Sequence, residues 1–216
     1  MKKLLYKEMR LSANPLSYWF ITFSAMTMIP RYPILVGSFF ICLGIFYTYQ
    51  QVRECDDITY TVMLPVSKQD VVTAKYLFVL LIELVAFVLC ALLTIIRMKT
   101  LGNAAPYVTN QLMNANAAYL GYLLAVFASF NGIFLAGFFK TAYKLGKPFI
   151  LFCVVGTIII LMGEVLHHIP GLESLNDSAN LSIPQVVILL IGIVMFKLCT
   201  WFSYQKAIKD FERLDL

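Results

Sequence analysis

Apolar residues lie along the chain in long blocks, and the polar residues are confined to short stretches between them. Blocks of about 20 residues have the length that an α-helix needs to cross the hydrocarbon core of a bilayer. The pattern predicts six membrane-spanning helices at Leu16–Ile29, Pro33–Val52, Tyr76–Ile96, Ala117–Phe139, Pro148–Leu166 and Ile183–Phe202. We therefore expect an all-α polytopic membrane protein, with residues 1–216 in a single transmembrane domain.

Composition supports the same fold class. Of the 216 residues, 60% are apolar and 13% are charged, whereas a soluble domain carries about 25% charged residues. This balance excludes a soluble globular domain, a disordered chain and a disulfide scaffold. The five cysteines show no CxxC spacing and are expected to be apolar packing residues.

The distribution of Lys and Arg predicts the orientation. If the N-terminus lies in the cytoplasm, 14 of the 17 Lys and Arg residues fall on the cytoplasmic side. Cytoplasmic loops are enriched in these residues, so both termini are predicted to be cytoplasmic. The net charge of +5 is explained by this topology, and no nucleic-acid partner is expected.

Signatures of catalysis are absent from the sequence. Gly146-Lys147 is followed by Pro148 and lacks the earlier glycine of a phosphate-binding loop, so the chain is not expected to bind ATP in that manner. There is no HExxH or GxSxG motif. His167 and His168 are adjacent and would point about 100° apart on a helix, which suits a shared metal poorly. They are either interfacial polar residues or a ligand- or proton-sensing pair. We expect no catalytic residue, bound metal or cofactor in this chain.

Two charged residues fall inside the apolar blocks, Glu83 in the third and Lys197 in the sixth. Both are predicted at similar depth in the inner leaflet, where a charge is costly. One hypothesis is that they face the bundle interior, neutralise one another and line or gate a path. The alternative is that Lys197 reaches the interface while Glu83 is protonated or hydrogen-bonded.

The cytoplasmic loop 53–75 carries the most information. Asp56 and Asp57 suit the first turn of a short helix, where carboxylates favour the positive end of the helix dipole. An apolar stripe follows, made of Ile58, Val62 and Met63. The pattern predicts an amphipathic helix over Asp56–Met63 that lies across the cytoplasmic end of the bundle.

Pro65 disfavours helix at Leu64 and ends that short helix. Ser67 then fits an N-cap, with Asp70 three residues later. The helix that begins there is predicted to run about two turns in the cytoplasm before it enters the membrane near Tyr76.

The N-terminus, residues 1–13, has a similar amphipathic character. One helical face is apolar and consists of Met1, Leu4, Leu5 and Met9. The other is basic and consists of Lys3, Lys7 and Arg10. Such a helix lies in the membrane interface; the alternative is an ordinary basic tail.

Together these features resemble the permease subunit of type 2 ATP-binding-cassette (ABC) transporters, in the bacterial group with small six-span permeases. The run Leu64-Pro-Val-Ser-Lys-Gln-Asp-Val-Val-Thr-Ala-Lys-Tyr76 is similar to the one that these permeases carry before their third span. The six-span layout extends the resemblance over the whole chain. Within this family, the chain is similar to exporters of phenol-soluble modulins and antimicrobial peptides.

The resemblance implies a function and a set of partners. It implies that Asp56–Pro65 is a coupling helix that docks a separate ATPase subunit, which binds ATP and Mg. It implies that Lys3–Leu11 is an interfacial elbow helix and that Glu164–Ser182 holds small extracellular helices. Two permeases, identical or related, would pair in the bacterial plasma membrane and export an amphipathic or cytolytic peptide or a lipid-like molecule.

Two other classes remain as alternatives, a six-span carrier driven by an ion gradient and a membrane-embedded enzyme. An enzyme is expected to gather His, Asp or Glu near one membrane face, and a carrier often contains an internal repeat. Neither feature is evident in the sequence.

Overall fold

The computed structural model describes residues 2–214. Met1, which the sequence places on the apolar face of the N-terminal helix, lies outside the described residues. The fold is all-α, as predicted. Four of its helical segments are long and apolar enough to cross a membrane: Lys68–Leu101, Ala117–Phe139, Gly146–Leu166 and Ile183–Glu212.

The predicted N-terminal helix is present. Helix α1 (Lys2–Lys7) continues through a π turn (Glu8–Ser12) until the backbone becomes extended at Ala13. Leu4 is buried, whereas Met9 is exposed. Leu4 and Met9 therefore do not share one buried face, and the contact of the apolar face with the membrane interface stays a prediction.

The first apolar block is helical but not a regular α-helix. It consists of α2 (Pro15–Trp19) and a 3₁₀ segment (Phe20–Met28). The hydroxyls of Thr22 and Thr27 donate to the carbonyls three residues earlier, at Trp19 and Ser24, over 2.6 Å. Such local bonds compete with α-helical pairing. A 3₁₀ helix rises about 2.0 Å per residue, so this short block covers more distance than an α-helix of equal length.

The second block forms α3 (Val36–Glu54), which packs against the first block. A short helix α4 (Asp57–Val62) follows, and then α5 (Lys68–Leu101). The predicted cap of α5 is confirmed, since Ser67 Oγ accepts a hydrogen bond from Asp70 N at 3.0 Å. The 34 residues of α5 rise about 51 Å, against about 30 Å of hydrocarbon, so α5 extends beyond the bilayer core.

The centre of the bundle is α7 (Ala117–Ser129), which follows the short α6 (Ala105–Val108). It continues through a π segment (Phe130–Leu135) and α8 (Ala136–Phe139), and most of its side chains are buried. Around it lie α9 (Gly146–Leu166) and α10 (Ile183–Glu212), with α3 and α5.

Contact between α7 and α10 is close. A Cβ on Gly121 would lie 2.5 Å from the carbonyl oxygen of Ile188, and a Cβ on Gly192 would meet the backbone of Gly121. Glycine at these two positions lets the helix backbones approach.

Segments predicted on one side of the membrane gather at one end of the bundle. At the base, Thr59 on α4 contacts Tyr143 in the α8–α9 loop, and Lys68 donates to the carbonyl of Leu214. At the opposite end, Asn114 donates to the carbonyl of Asn176. The segment expected to hold small extracellular helices contains one 3₁₀ turn, Glu173–Asn176, after α9 ends.

Candidate functional site: a charged base under the bundle

Helix α4 lies against the base of the bundle through its apolar side. Ile58 is buried, and Val62 packs against the hydrophobic core. These residues are four positions apart and therefore lie on the same face of the helix. The predicted short helix is confirmed over Asp57–Val62, and the face formed by Ile58 and Val62 is covered by the chain itself.

A group of four charged side chains fastens α4 to its neighbours; we call it the base cluster, and it consists of Lys7, Glu8, Asp57 and Lys75. The Nζ of Lys75 lies 2.9 Å from Glu8 Oε2 and 3.1 Å from Asp57 Oδ2. The Nζ of Lys7 lies 3.1 Å from Glu8 Oε1 and 2.5 Å from Asp57 Oδ1. Each cation therefore contacts both carboxylates, and the cluster has no net charge.

The charged groups of the base cluster are largely buried, so each of them needs an oppositely charged partner. Lys75 and Glu8 are each only 2% exposed, and a buried charge without a partner would be costly. Ser12 Oγ donates to Asp57 Oδ1 at 3.1 Å, which adds a further bond to this carboxylate. Burial alone would raise the pKa of Asp57, but the ammonium groups of Lys75 and Lys7 outweigh it and hold that pKa below its ordinary value.

The opposite side of α4 is exposed and apolar; we call it the α4 patch, and it consists of Tyr60, Met63 and Leu64. Tyr60 is 68% exposed and Met63 is 76% exposed. Pro65 follows and is also exposed. The predicted stripe of Ile58, Val62 and Met63 is therefore wrong at Met63, since this residue is one position past Val62 and points about 100° away from it.

The two predicted acidic residues have different positions. Asp57 is in the first turn of α4 and belongs to the base cluster. Asp56 precedes the helix with a left-handed backbone (φ 48°), and its exposed side chain caps no backbone N–H. The prediction that both carboxylates occupy the first turn is correct for Asp57 and wrong for Asp56.

The partners of Asp57 were not predicted from the sequence. The sequence places Lys7 on the basic face of the N-terminal helix and Lys75 at the end of the cytoplasmic loop, and it pairs neither of them, nor Glu8, with Asp57. One signal was available: Glu8 is the sole acidic residue among the first 50. A single carboxylate in a basic amphipathic helix suggests a specific partner, but the sequence does not say which one.

Glu83 and Lys197 do not form the predicted ion pair. Glu83 is buried, and its Oε2 accepts a hydrogen bond from Asn131 Nδ2 at 2.9 Å. Lys197 is exposed on α10. Equal depth along two helices does not fix the direction in which each side chain points, and here Glu83 is buried against Asn131 while Lys197 is exposed.

The histidine pair lies at the end of the bundle opposite the base cluster. His167 Nε2 lies 3.0 Å from the carbonyl oxygen of Gln111, and the ring of His168 lies beside it, with centroids 4.1 Å apart. Within residues 2–214, no three His, Cys, Asp or Glu side chains are grouped as metal ligands. His167, at the end of α9, therefore joins α9 to the segment between α6 and α7.

Comparison with known proteins identifies a family. The family model for the ABC-2 family transporter protein matches residues 3–212, which is nearly the whole chain. No curated protein and no solved structure matches the chain.

Proposed function

Because the chain belongs to the ABC-2 transporter family, and so is a membrane permease, we propose that it forms the translocation path of an exporter as a dimer. The second copy is either identical or a related permease. A separate ABC ATPase subunit binds ATP and Mg and supplies the energy. This chain contributes the path and the element that receives the movement of the ATPase.

We propose six membrane crossings with both termini in the cytoplasm of a bacterium. Four crossings use the long apolar helices, and the other two use α2 with its 3₁₀ extension and α3. Successive loops lie at opposite ends of the bundle, as six crossings require, and this supports the count. The excess of Lys and Arg at the base supports the cytoplasmic assignment of that end.

The α4 patch is the proposed docking surface for the ATPase. The observation that carries this proposal is the two-sided character of α4, which is held to the bundle by Asp57 and Ile58 and exposes Tyr60 and Met63. Exposed aromatic and Met side chains are enriched in protein interfaces. The exposed patch includes Met63, Leu64 and Pro65 of the predicted coupling segment, while the buried face includes Asp57, Ile58 and Val62.

Movement of the ATPase would reach the bundle through the base cluster. A displacement of α4 carries Asp57, which is bound to Lys75 on α5 and to Lys7 on α1. Charge-assisted hydrogen bonds of this kind are stronger and shorter than neutral ones. ATP-driven closure of two ATPase subunits would thus tilt α5 and the interfacial helix together and switch the opening of the path.

The proposed cargo is amphipathic, either a cytolytic peptide or a lipid-like molecule. The outward faces of α5 and α10 are lined with exposed apolar residues such as Leu84, Leu92, Leu190 and Phe202. A path bordered by such surfaces suits an apolar molecule better than an ion or a sugar, and membrane lipid is the natural neighbour of the same faces.

Co-purification with the cognate ATPase tests the docking surface. We expect the Tyr60→Asp plus Met63→Asp variant to lose the ATPase in a detergent pull-down while the permease stays folded. The matched control is Leu181→Asp, since Leu181 is 65% exposed and lies before α10 at the opposite end of the bundle. Retention of the ATPase by the double variant would overturn the proposed docking surface.

A further inference from the structure

A cleft runs along the seam between α5 and α10, in the outward-facing surface of the bundle. Its wider part, toward the base, has a volume of about 580 Å³ and is lined by Thr73, Tyr76, Trp201 and Tyr204 among others. A smaller cavity of about 190 Å³ continues from it toward Phe87 and Leu124. Leu80 and Phe196 border both volumes, so the two cavities adjoin.

The cleft is long and apolar. Thr73 and Phe87 are 14 positions apart on α5, which corresponds to about 21 Å at 1.5 Å per residue. This length and these volumes fit a single alkyl chain or a comparably slender apolar group. Lys197 stands in the lining of the wider part, on α10.

Glu83 lines the smaller cavity with an unused hydrogen-bond acceptor. The residue is 1% exposed, and its Oε2 is engaged by Asn131. Its other oxygen, Oε1, has no partner within the described part of the chain, and neither has the Asn131 side-chain oxygen. Buried acceptors are normally satisfied, so these two buried oxygens, one of them on a residue that lines the cavity, indicate a missing donor.

Asn131 belongs to a hydrogen-bonded series that holds Glu83 in place. Its Nδ2 also lies 3.1 Å from Thr200 Oγ1 on α10, and its backbone carbonyl accepts a hydrogen bond from Ser203 Oγ at 2.5 Å. Asn131 lies in the π segment that interrupts the central helix, and π segments occur frequently at functional sites. The carboxylate is therefore fixed by two neighbouring helices, which is the arrangement of a prepared binding site.

We propose that the α5–α10 cleft binds an amphipathic amine, with the amine donating to Glu83 Oε1 and the apolar part filling the wider cavity. The free carboxylate oxygen requires a donor, and the apolar walls require a hydrophobic group. Among the described residues, Glu83 is the one charged side chain that lines the smaller cavity, while Lys197 lines the wider one. A cationic head therefore suits the smaller cavity, beside Glu83. This inference deepens the proposed function by naming a cargo class.

The intrinsic fluorescence of Trp201 provides the test. The chain has two tryptophans, and a Trp19→Phe background leaves only Trp201, which lines the wider cavity. The full-length protein in lipid nanodiscs is titrated with dodecylamine or dodecanol, each carrying a bromine at its terminal carbon as a quencher. The alcohol is the uncharged control, and its quenching measures contact between Trp201 and probe molecules dissolved in the surrounding lipid. We expect the amine to quench at a concentration about tenfold lower, as a charge-assisted bond implies.

Two variants separate this site from general partition into the bilayer. Glu83→Gln keeps an oxygen for Asn131 and is expected to bring both probes to equal quenching. Glu164→Gln is the matched control, because Glu164 on α9 also has a buried oxygen without a partner among residues 2–214 but does not line the cleft. This variant should keep the preference for the amine. Leu80→Phe narrows the junction of the two cavities and should weaken amine binding with Glu83 intact.

Several outcomes would overturn the proposal. These are equal quenching by amine and alcohol in the Trp19→Phe protein, a preference that survives Glu83→Gln, or no quenching at all, as expected if a second copy of the chain fills the cleft. A preference for brominated dodecanoate that depends on Lys197 would assign the cleft to an anionic amphiphile instead. The titration needs neither ATP nor the ATPase, so failure here is distinguishable from failure of the docking proposal.

Discussion

Lys75 on α5 and Asp57 on α4 are joined across 3.1 Å, with Lys75 almost fully buried. This contact fastens the short helix at the base directly to the longest helix of the bundle. The same ammonium lies 2.9 Å from Glu8, so the interfacial N-terminal helix shares the attachment. Three elements that are distant in the sequence therefore meet at one side chain.

Loss of the Lys75 charge should destabilise the protein strongly. Lys75→Met leaves Glu8 and Asp57 with Lys7 as their single cation, and removing one partner from a buried pair costs about 3–5 kcal/mol. The change is measured as the free energy of unfolding in detergent. The control is Lys144→Met, at an exposed lysine in the α8–α9 loop; equal stabilities of the two variants would contradict the role of the base cluster.

The contribution of Asp57 should depend on pH in a defined direction. The folded-state pKa of this carboxyl is lowered by Lys75 and Lys7 against the opposing effect of burial. Its stabilising effect is therefore present above the unfolded pKa of about 3.9 and is lost as the pH falls through the lower folded value.

Comparison of wild type with Asp57→Asn over a range of pH measures this effect. The difference in unfolding free energy should be constant from about pH 7 to pH 5 and shrink below about pH 4. A difference that persists unchanged at lower pH would show that Asp57 does not act through its charge.

Because α7 and α10 are in close contact, addition of a single methyl group at Gly121 should destabilise the protein. At Gly121 a Cβ would lie 2.5 Å from the Ile188 carbonyl oxygen, whereas at Gly146 it would meet nothing within 4 Å. Gly121→Ala should cost about 1–3 kcal/mol of unfolding free energy through overpacking. Gly146→Ala serves as the control and should not destabilise; similar losses in both variants would refute the close approach.

Cys55 offers a direct test of orientation. Among the five cysteines, Cys55 is exposed, and it lies in the turn before α4. A membrane-impermeant maleimide should label the protein in inverted vesicles and leave it unlabelled in intact cells. Cys55→Ser should remove the signal. Labelling in intact cells would place α4 outside and exclude its contact with an ATPase.

The sequence predicted local features well because they depend on local chemistry. The Ser67 cap, the short helix containing Asp57 and the starts of the α7 and α10 helices at Ala117 and Ile183 follow from neighbouring residues. The pairing of Glu83 with Lys197 was wrong because hydropathy gives depth in the membrane but not rotation about the helix axis.

Tertiary contacts account for what the sequence did not show. Glu8 and Lys75 are 67 positions apart, and only the packing of α1 against α5 brings them together. Likewise, Ile58 points toward the bundle and Met63 points away from it because of the way α4 packs against the bundle, which the sequence does not show. The π segment at Asn131 has no periodicity signature of its own, so the sequence predicts one continuous helix there.

Site-specific photo-cross-linking tests the central claim most directly. A photoreactive phenylalanine analogue is placed at Tyr60 or Met63 in the α4 patch, and at Leu181 as the control, in cells that contain the ATPase. The account predicts an adduct between this chain and the ATPase from Tyr60 and Met63 and none from Leu181. Absence of the adduct from both α4 positions, or an equal adduct from Leu181, would contradict the docking of an ATPase at this base.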